Sequence, residues 1–351
     1  MRILQALTLL GGVAASLRCA TLAADAGDID AVRPNAHAGP FRPLKAGELA
    51  NGVGVAPYPL SSDSRRFRSP SVVDLAQSGA PGATALYALA DQEGTSGVYR
   101  FLGPDARSFG KLSEPSEPVL SATDAWEGAA IEDPSAHRVG DEIWLVYAGS
   151  EGIGLARSSD GIHFDKAPGP VLDASGAPPW EGDDAPRAPC LLVLGEADLR
   201  LFYAAGGRIG EARSSDGVSW QRLADGPVLE PAGGPGFDAG GVFDQTAVGD
   251  PWALAATTAE GRRLTRVYYA GSASDGRAGI GLAARFADEG PLERAVGPVF
   301  PADLDARSPS VLAFDSLTLL YVAELAGTGD NEAFPAIAVG VAPATLAIPA
   351  D

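Results

Sequence analysis

Five positions in this 351-residue chain carry charge at the mouth of a short apolar run: Arg68, Glu132, Arg187, Asp244 and Arg307. The runs themselves open on Pro70, Pro134, Pro189, Gln245 and Pro309, and the sign of the charge alternates along most of the series. Asp133 follows Glu132 directly, and Asp183 and Asp184 stand shortly before Arg187. Carboxylates brought together from such positions can do acid–base work. Arginines beside them can grip an anionic group such as phosphate or a uronate through paired hydrogen bonds. The same residues can also satisfy one another as a salt-bridged ring with no catalytic role. Trp126 and Trp180 each precede Glu-Gly, so they are candidates for a wall on which a sugar ring stacks, or for packing between repeats. His137 is read as structural, as is Cys190 within the apolar run Cys190-Leu191-Leu192-Val193. No Cys or His cluster has zinc spacing, and neither a phosphate-binding Gly-rich loop nor a G-x-S-x-G elbow is present. No cofactor is expected; a structural Ca²⁺ among the carboxylates has no loop signature behind it.

The elements that must position these residues are repeats. Trp126 to Leu172 and Trp180 to Leu229 match step for step: W-E-G, then L-V-Y-A-G or L-F-Y-A-A-G, then I-G-x-A-R-S-S-D-G and G-P-V-L. Each copy reads as short aromatic-rich strands parted by Gly, Asp and Pro, and about 50 residues with about four strands is the signature of a propeller blade. Asp160-Gly161 and Asp216-Gly217 have the chemistry of tight hairpin turns. With 44 Gly and 28 Pro and no long helical period beyond the N-terminus, the chain is all-β. The expectation is a single five-bladed β-propeller of four-stranded antiparallel blades over 53–351. The segment from Val53 to Leu60 is expected to close the ring as the outer strand of the last blade.

An inner strand opening on Asp-Pro, a Y-A-G strand and I-G-L-A-R-S-S-D-G-I-H-F together resemble the five-bladed propellers of glycoside hydrolase families 43, 32 and 68 and the mannoside phosphorylases of family 130. The resemblance spans roughly residues 53 to 345. It implies an exported glycoside hydrolase acting at the central tunnel on a glycan or small sugar. A glycan-binding or scaffolding propeller and a glycoside phosphorylase are the alternatives. It also implies an acidic residue from each of the first three blades. Glu132-Asp133-Pro134 complies, and it is similar to the Glu-Asp-Pro-Arg element of family 130, in which the Asp donates the proton. Ser135 replaces that Arg, Arg68-Ser69-Pro70 stands in the first blade, and Arg187-Ala188-Pro189 in the third. Asp133 is therefore the expected essential carboxylate, with Asp184, Glu132 or Asp244 as partner, and Arg68, Arg187 and Arg307 bind substrate.

Residues 1–24 read as a signal peptide: Arg2, then a mostly apolar stretch too short to span a bilayer, then small residues for cleavage. Export follows as an expectation, which the intact mass of exported protein tests. Cys19 follows Arg18 rather than a small residue, which argues against lipid anchoring there. Residues 25–52 read as a flexible lead-in. A formal charge of −19 disfavours nucleic acid and anionic lipid as partners, and a monomer is expected.

Overall fold

The computed structural model describes residues 39, 41–43, 66–77, 82–92, 95–104, 106, 109, 117–223, 225–233, 243–257, 263–286, 289–295, 297–300, 305–314, 317–324 and 336–343. The expected leader, 1–24, and the segment 53–60 lie outside the described residues. Among the described residues all regular structure is strand apart from two short 3₁₀ turns, at Ala125–Glu127 and Pro179–Glu181. The described strands form five antiparallel sheets. Their first strands are Arg66–Asp74, Glu132–Val139, Arg187–Gly195, Ala247–Thr257 and Ala306–Ala313. Each of these touches the first strand of the next sheet, and the last touches the first, so the sheets stand as a propeller around one axis.

Within a sheet the chain meanders outward. In the third, Arg187–Gly195 pairs with Asp198–Ala205, that with Arg208–Ser214, and that with Gln221–Arg222. The near-continuous apolar runs bury both faces against neighbouring sheets, and Leu201, Phe202 and Tyr203 in succession are 1 % exposed or less. The hairpins close as expected. Asp160 Oδ1 accepts the N–H groups of Ile162 and His163, both at 2.8 Å, and Gly161 takes φ 71°. Asp216 does the same for Val218 and Ser219.

The ring closes differently from expectation. Arg42–Pro43, inside the segment 25–52 read as a lead-in, pairs with Ala336–Pro343 as the outermost strand of the fifth sheet. Phe41 beside it is 3 % exposed, packs edge-on against Tyr268 at 5.9 Å, and donates its N–H to Val299 O at 2.7 Å. The anchor is thus a buried aromatic whose partners lie in the fourth sheet, far away in sequence.

Three blades repeat an internal clamp that fixes their aromatic residues. Glu127, Glu181 and Asp244 are all about 1 % exposed or less, and each accepts a tyrosine hydroxyl at 2.7 Å, from Tyr147, Tyr203 and Tyr269. Each is also paired with a cation on the outer part of its sheet: Lys166, Arg222 at 2.8 Å and Arg294 at 2.8 Å. Trp126, Trp180 and Phe243, immediately before the three acids, stack on the same tyrosines at 5.9, 6.4 and 5.9 Å. Facing glycines make room. A Cβ on Gly210 would lie 2.5 Å from Tyr203 Cζ.

Candidate active site

The five first strands share one irregularity, and it builds the site. The ladder slips between Arg68 and Ser71, Glu132 and Ser135, Arg187 and Cys190, Gly249 and Trp252, and Arg307 and Ser310. Inside each slip sits a residue followed by proline: Ser69-Pro70, Asp133-Pro134, Ala188-Pro189, Asp250-Pro251 and Ser308-Pro309. Proline has no N–H for the ladder and its ring crowds the residue before it, so the strand bulges. The preceding residue takes left-handed φ in every case, 49°, 49°, 47°, 46° and 50°. For a non-glycine residue that conformation costs on the order of 1 kcal/mol and persists only where the surroundings impose it. All ten residues of these pairs line one central pocket, together with Ser135 and Trp252.

The fourth member of the ring is Asp250, and this corrects the sequence reading. Asp244 does not reach the pocket; it is the buried counterpart of Glu127 and Glu181, ahead of the inner strand, held by Tyr269 and Arg294. Phe243-Asp244 too precedes an apolar strand, whereas Gly249-Asp250-Pro251 carries the proline that marks the other four bulges. Of the two roles open to Trp126 and Trp180, their contacts fit packing. Each stacks on the tyrosine of its own blade, and neither lines the central pocket.

The remaining expected residues divide between pocket and rim. Asp133 is half-buried in the pocket wall. Glu132, next to it, accepts Arg68 Nη2 on both carboxylate oxygens at 3.2 Å, so these two are a rim ion pair. Arg187 is exposed, and its charge acts on Asp133. Arg307 adjoins Ser308 but donates to Gly276 O at 3.3 Å. Asp184 lies exposed with Asp183 in the loop before the third inner strand and does not line the pocket.

Asp133 and Asp250 reach across their blade junctions in the same manner. Asp133 takes a hydrogen bond from the Ala188 N–H, and Asp250 Oδ2 takes one from the Ser308 N–H at 3.1 Å and another from Ser308 Oγ at 3.3 Å. Burial pushes the Asp133 carboxyl up to about 7, and the negative charges of Asp250 and Glu132 add to the effect. Arg187 and the Ala188 N–H pull the other way. The carboxyl is thus held well above the ordinary aspartate range, with a second carboxylate in the same pocket wall. Such a pair can give a proton at one atom and take one at another. Among the described residues no group of three or more His, Cys, Asp or Glu side chains is placed to hold a metal ion.

No protein-family model matches the chain, and no curated protein matches it. Solved structures do. One belongs to the GH130 family of mannoside phosphorylases, which contains glycoside hydrolases that target β-1,2-mannosidic linkages in Candida mannan. That match has a TM-score of 0.62 at 12% identity, covering 86% of this chain and 93% of that one. A glycosyl hydrolase from Bacteroides ovatus gives a TM-score of 0.59 at 16% identity, covering 87% and 92%. β-1,2-Mannobiose phosphorylase from Listeria innocua gives 0.56 at 13% identity, covering 82% and 92%. At these identities the likeness is one of fold. The chain is a β-propeller of the architecture these glycoside hydrolases and phosphorylases share.

Proposed function

We propose that this protein is a glycoside hydrolase whose reaction takes place at the central pocket of a five-bladed propeller, with Asp133 as general acid and Asp250 as the facing carboxylate. The observation that carries the reading is that these two side chains line one pocket while Asp133 is held near neutrality. An acid of that kind can protonate a leaving glycosidic oxygen, and an ionised partner can activate water or attack the sugar. Ser69, Ala188 and Ser308 in the other three ring positions favour a second reading, a glycan-binding propeller without turnover. Glu132 clamped by Arg68 fits that reading too.

The experiment is a panel of aryl glycosides and polysaccharides, each with and without phosphate, against the wild type and Asp133→Asn. Hydrolysis predicts turnover without phosphate, lowered in Asp133→Asn on the order of 100- to 10,000-fold with the fold intact. Turnover only with phosphate selects the phosphorylase, with Arg187 as an anion ligand at the rim. Sugar binding without turnover selects the binding role. Undiminished turnover in Asp133→Asn sinks its assignment as the acid.

A further inference from the structure

Of the five residues that follow the prolines, three obey a rule; Trp252 departs from it by donating its Nε1–H to Val311 O at 3.0 Å, and Ser135, the other departure, marks a further contact in the pocket. At three junctions the side chain after the proline accepts a backbone N–H from the next sheet. Ser71 Oγ takes Ala136 N–H at 2.7 Å, Cys190 Sγ takes Ala253 N–H at 3.2 Å, and Ser310 Oγ takes Val72 N–H at 3.0 Å. These bonds stitch neighbouring sheets and consume the acceptor. By the same rule Ser135 would take Leu191 N–H. Instead that N–H donates to His137 Nε2 at 3.2 Å, from a ring stacked on Trp252 at 5.0 Å.

His137 therefore relieves Ser135 of the stitching role. Ser135 lines the central pocket with Asp133, two residues before it on the same strand, whereas Ser71, Cys190 and Ser310 do not. The direction of the Ser135 hydroxyl follows from proton counting. Burial holds His137 down at about 3, so the ring is neutral, and Nε2, which accepts Leu191 N–H, carries no proton. The Ser135 hydroxyl, 2.7 Å from that nitrogen, then donates to it and shares its single in-plane lone pair with the Leu191 N–H. With its proton committed, the oxygen offers only lone pairs to the pocket.

We propose that Ser135, oriented by His137, is a substrate-positioning residue that accepts a hydrogen bond from a sugar hydroxyl in the pocket next to Asp133. The inference rests on the glycosidase reading and adds to it a selectivity. The position rewards a hydroxyl donor and offers nothing to an anion.

The test uses the full chain and para-nitrophenyl glycosides of mannose, xylose, arabinose, galactose and glucuronic acid, with Ser135→Ala, Ser135→Thr and Asp133→Asn compared on the best substrate. Loss of one hydrogen bond predicts a rise in KM of about three- to tenfold for Ser135→Ala, with kcat and thermal midpoint little changed. Ser135→Thr, which keeps the hydroxyl, should return KM towards wild type. If Ser135→Ala keeps KM within about twofold while Asp133→Asn is inactive, the positioning role fails and the glycosidase reading stands. A loss in Ser135→Ala that tracks a fall in thermal midpoint overturns the proposal in favour of a packing role. A best substrate carrying its charge at the Ser135 position, shown by a glucuronide preference that Ser135→Ala leaves intact, also overturns it. Wild type that neither turns over nor binds any of these sugars removes both readings together.

Discussion

Asp133 is the proposed general acid, and its charge is opposed from several sides at once. Its carboxyl is raised from an ordinary 3.8 to about 7, so the folded state holds its proton more tightly than the unfolded chain does. The stability tied to this group is therefore fully present below about pH 4 and is lost as pH rises through about 7. Asp133→Asn should abolish that slope, so its thermal midpoint should gain on wild type between pH 5 and about 8; a constant difference across that range would contradict the burial argument. Activity carries the same sign. A general acid must be protonated, so kcat/KM should fall above about pH 7. Arg187 favours the ionised form, and Arg187→Gln should move that alkaline limb upward, whereas a purely structural arginine would leave it in place.

At the scale of elements, the outer strands are tied down by buried acids that the tunnel chemistry does not use. Arg222, on the fourth strand of the third sheet, donates to Glu181 and also to Asp173 O, at 2.6 Å, on the outermost strand of the second sheet. Lys166 likewise joins Glu127 to Ser121 O on the outer strand of the first sheet, at 2.8 Å. These two clamps thus each stabilise a blade and its junction together. Glu181→Ala leaves the Tyr203 hydroxyl without its acceptor and Arg222, still bonded to Asp173 O, without its counter-charge, and should cost about 3–5 kcal/mol in urea unfolding. Turnover on a good substrate should survive below the unfolding transition, because Glu181 lies away from the pocket lining. A loss below about 1 kcal/mol would mean that water replaces the carboxylate.

For the whole molecule, the seam decides whether the ring is closed. Arg42–Pro43 covers the edge of Ala336–Pro343, and Phe41 inserts among residues of the fourth sheet, so the N-terminal segment joins two neighbouring sheets. Phe41→Ala should lower stability by about 3–5 kcal/mol and expose that strand edge to pairing with other chains. Light scattering during thermal unfolding would detect the association. An unchanged midpoint would show that closure does not depend on this anchor.

The sequence by itself determined the blade and most of the ring. The S-S-D-G turns, the Y-A-G strands and the X-Pro bulges are local devices, each dictated by a few adjacent residues, so they could be read where they stand. Glu132-Asp133-Pro134 was legible for the same reason. Asp250 was not, because Phe243-Asp244 offers an acid before the same strand. Only the stacking of Phe243 on Tyr269 and the pairing of Asp244 with Arg294 separate the clamp from the tunnel. The closing strand was misplaced because Arg42–Pro43 has no strand pattern of its own; its pairing is set by an edge nearly 300 residues away in the chain. The near-neutral Asp133 and the release of Ser135 by His137 likewise depend on groups from other sheets. Burial, charge and hydrogen-bond competition are sums over spatial neighbours, and the closed ring alone decides which neighbours those are.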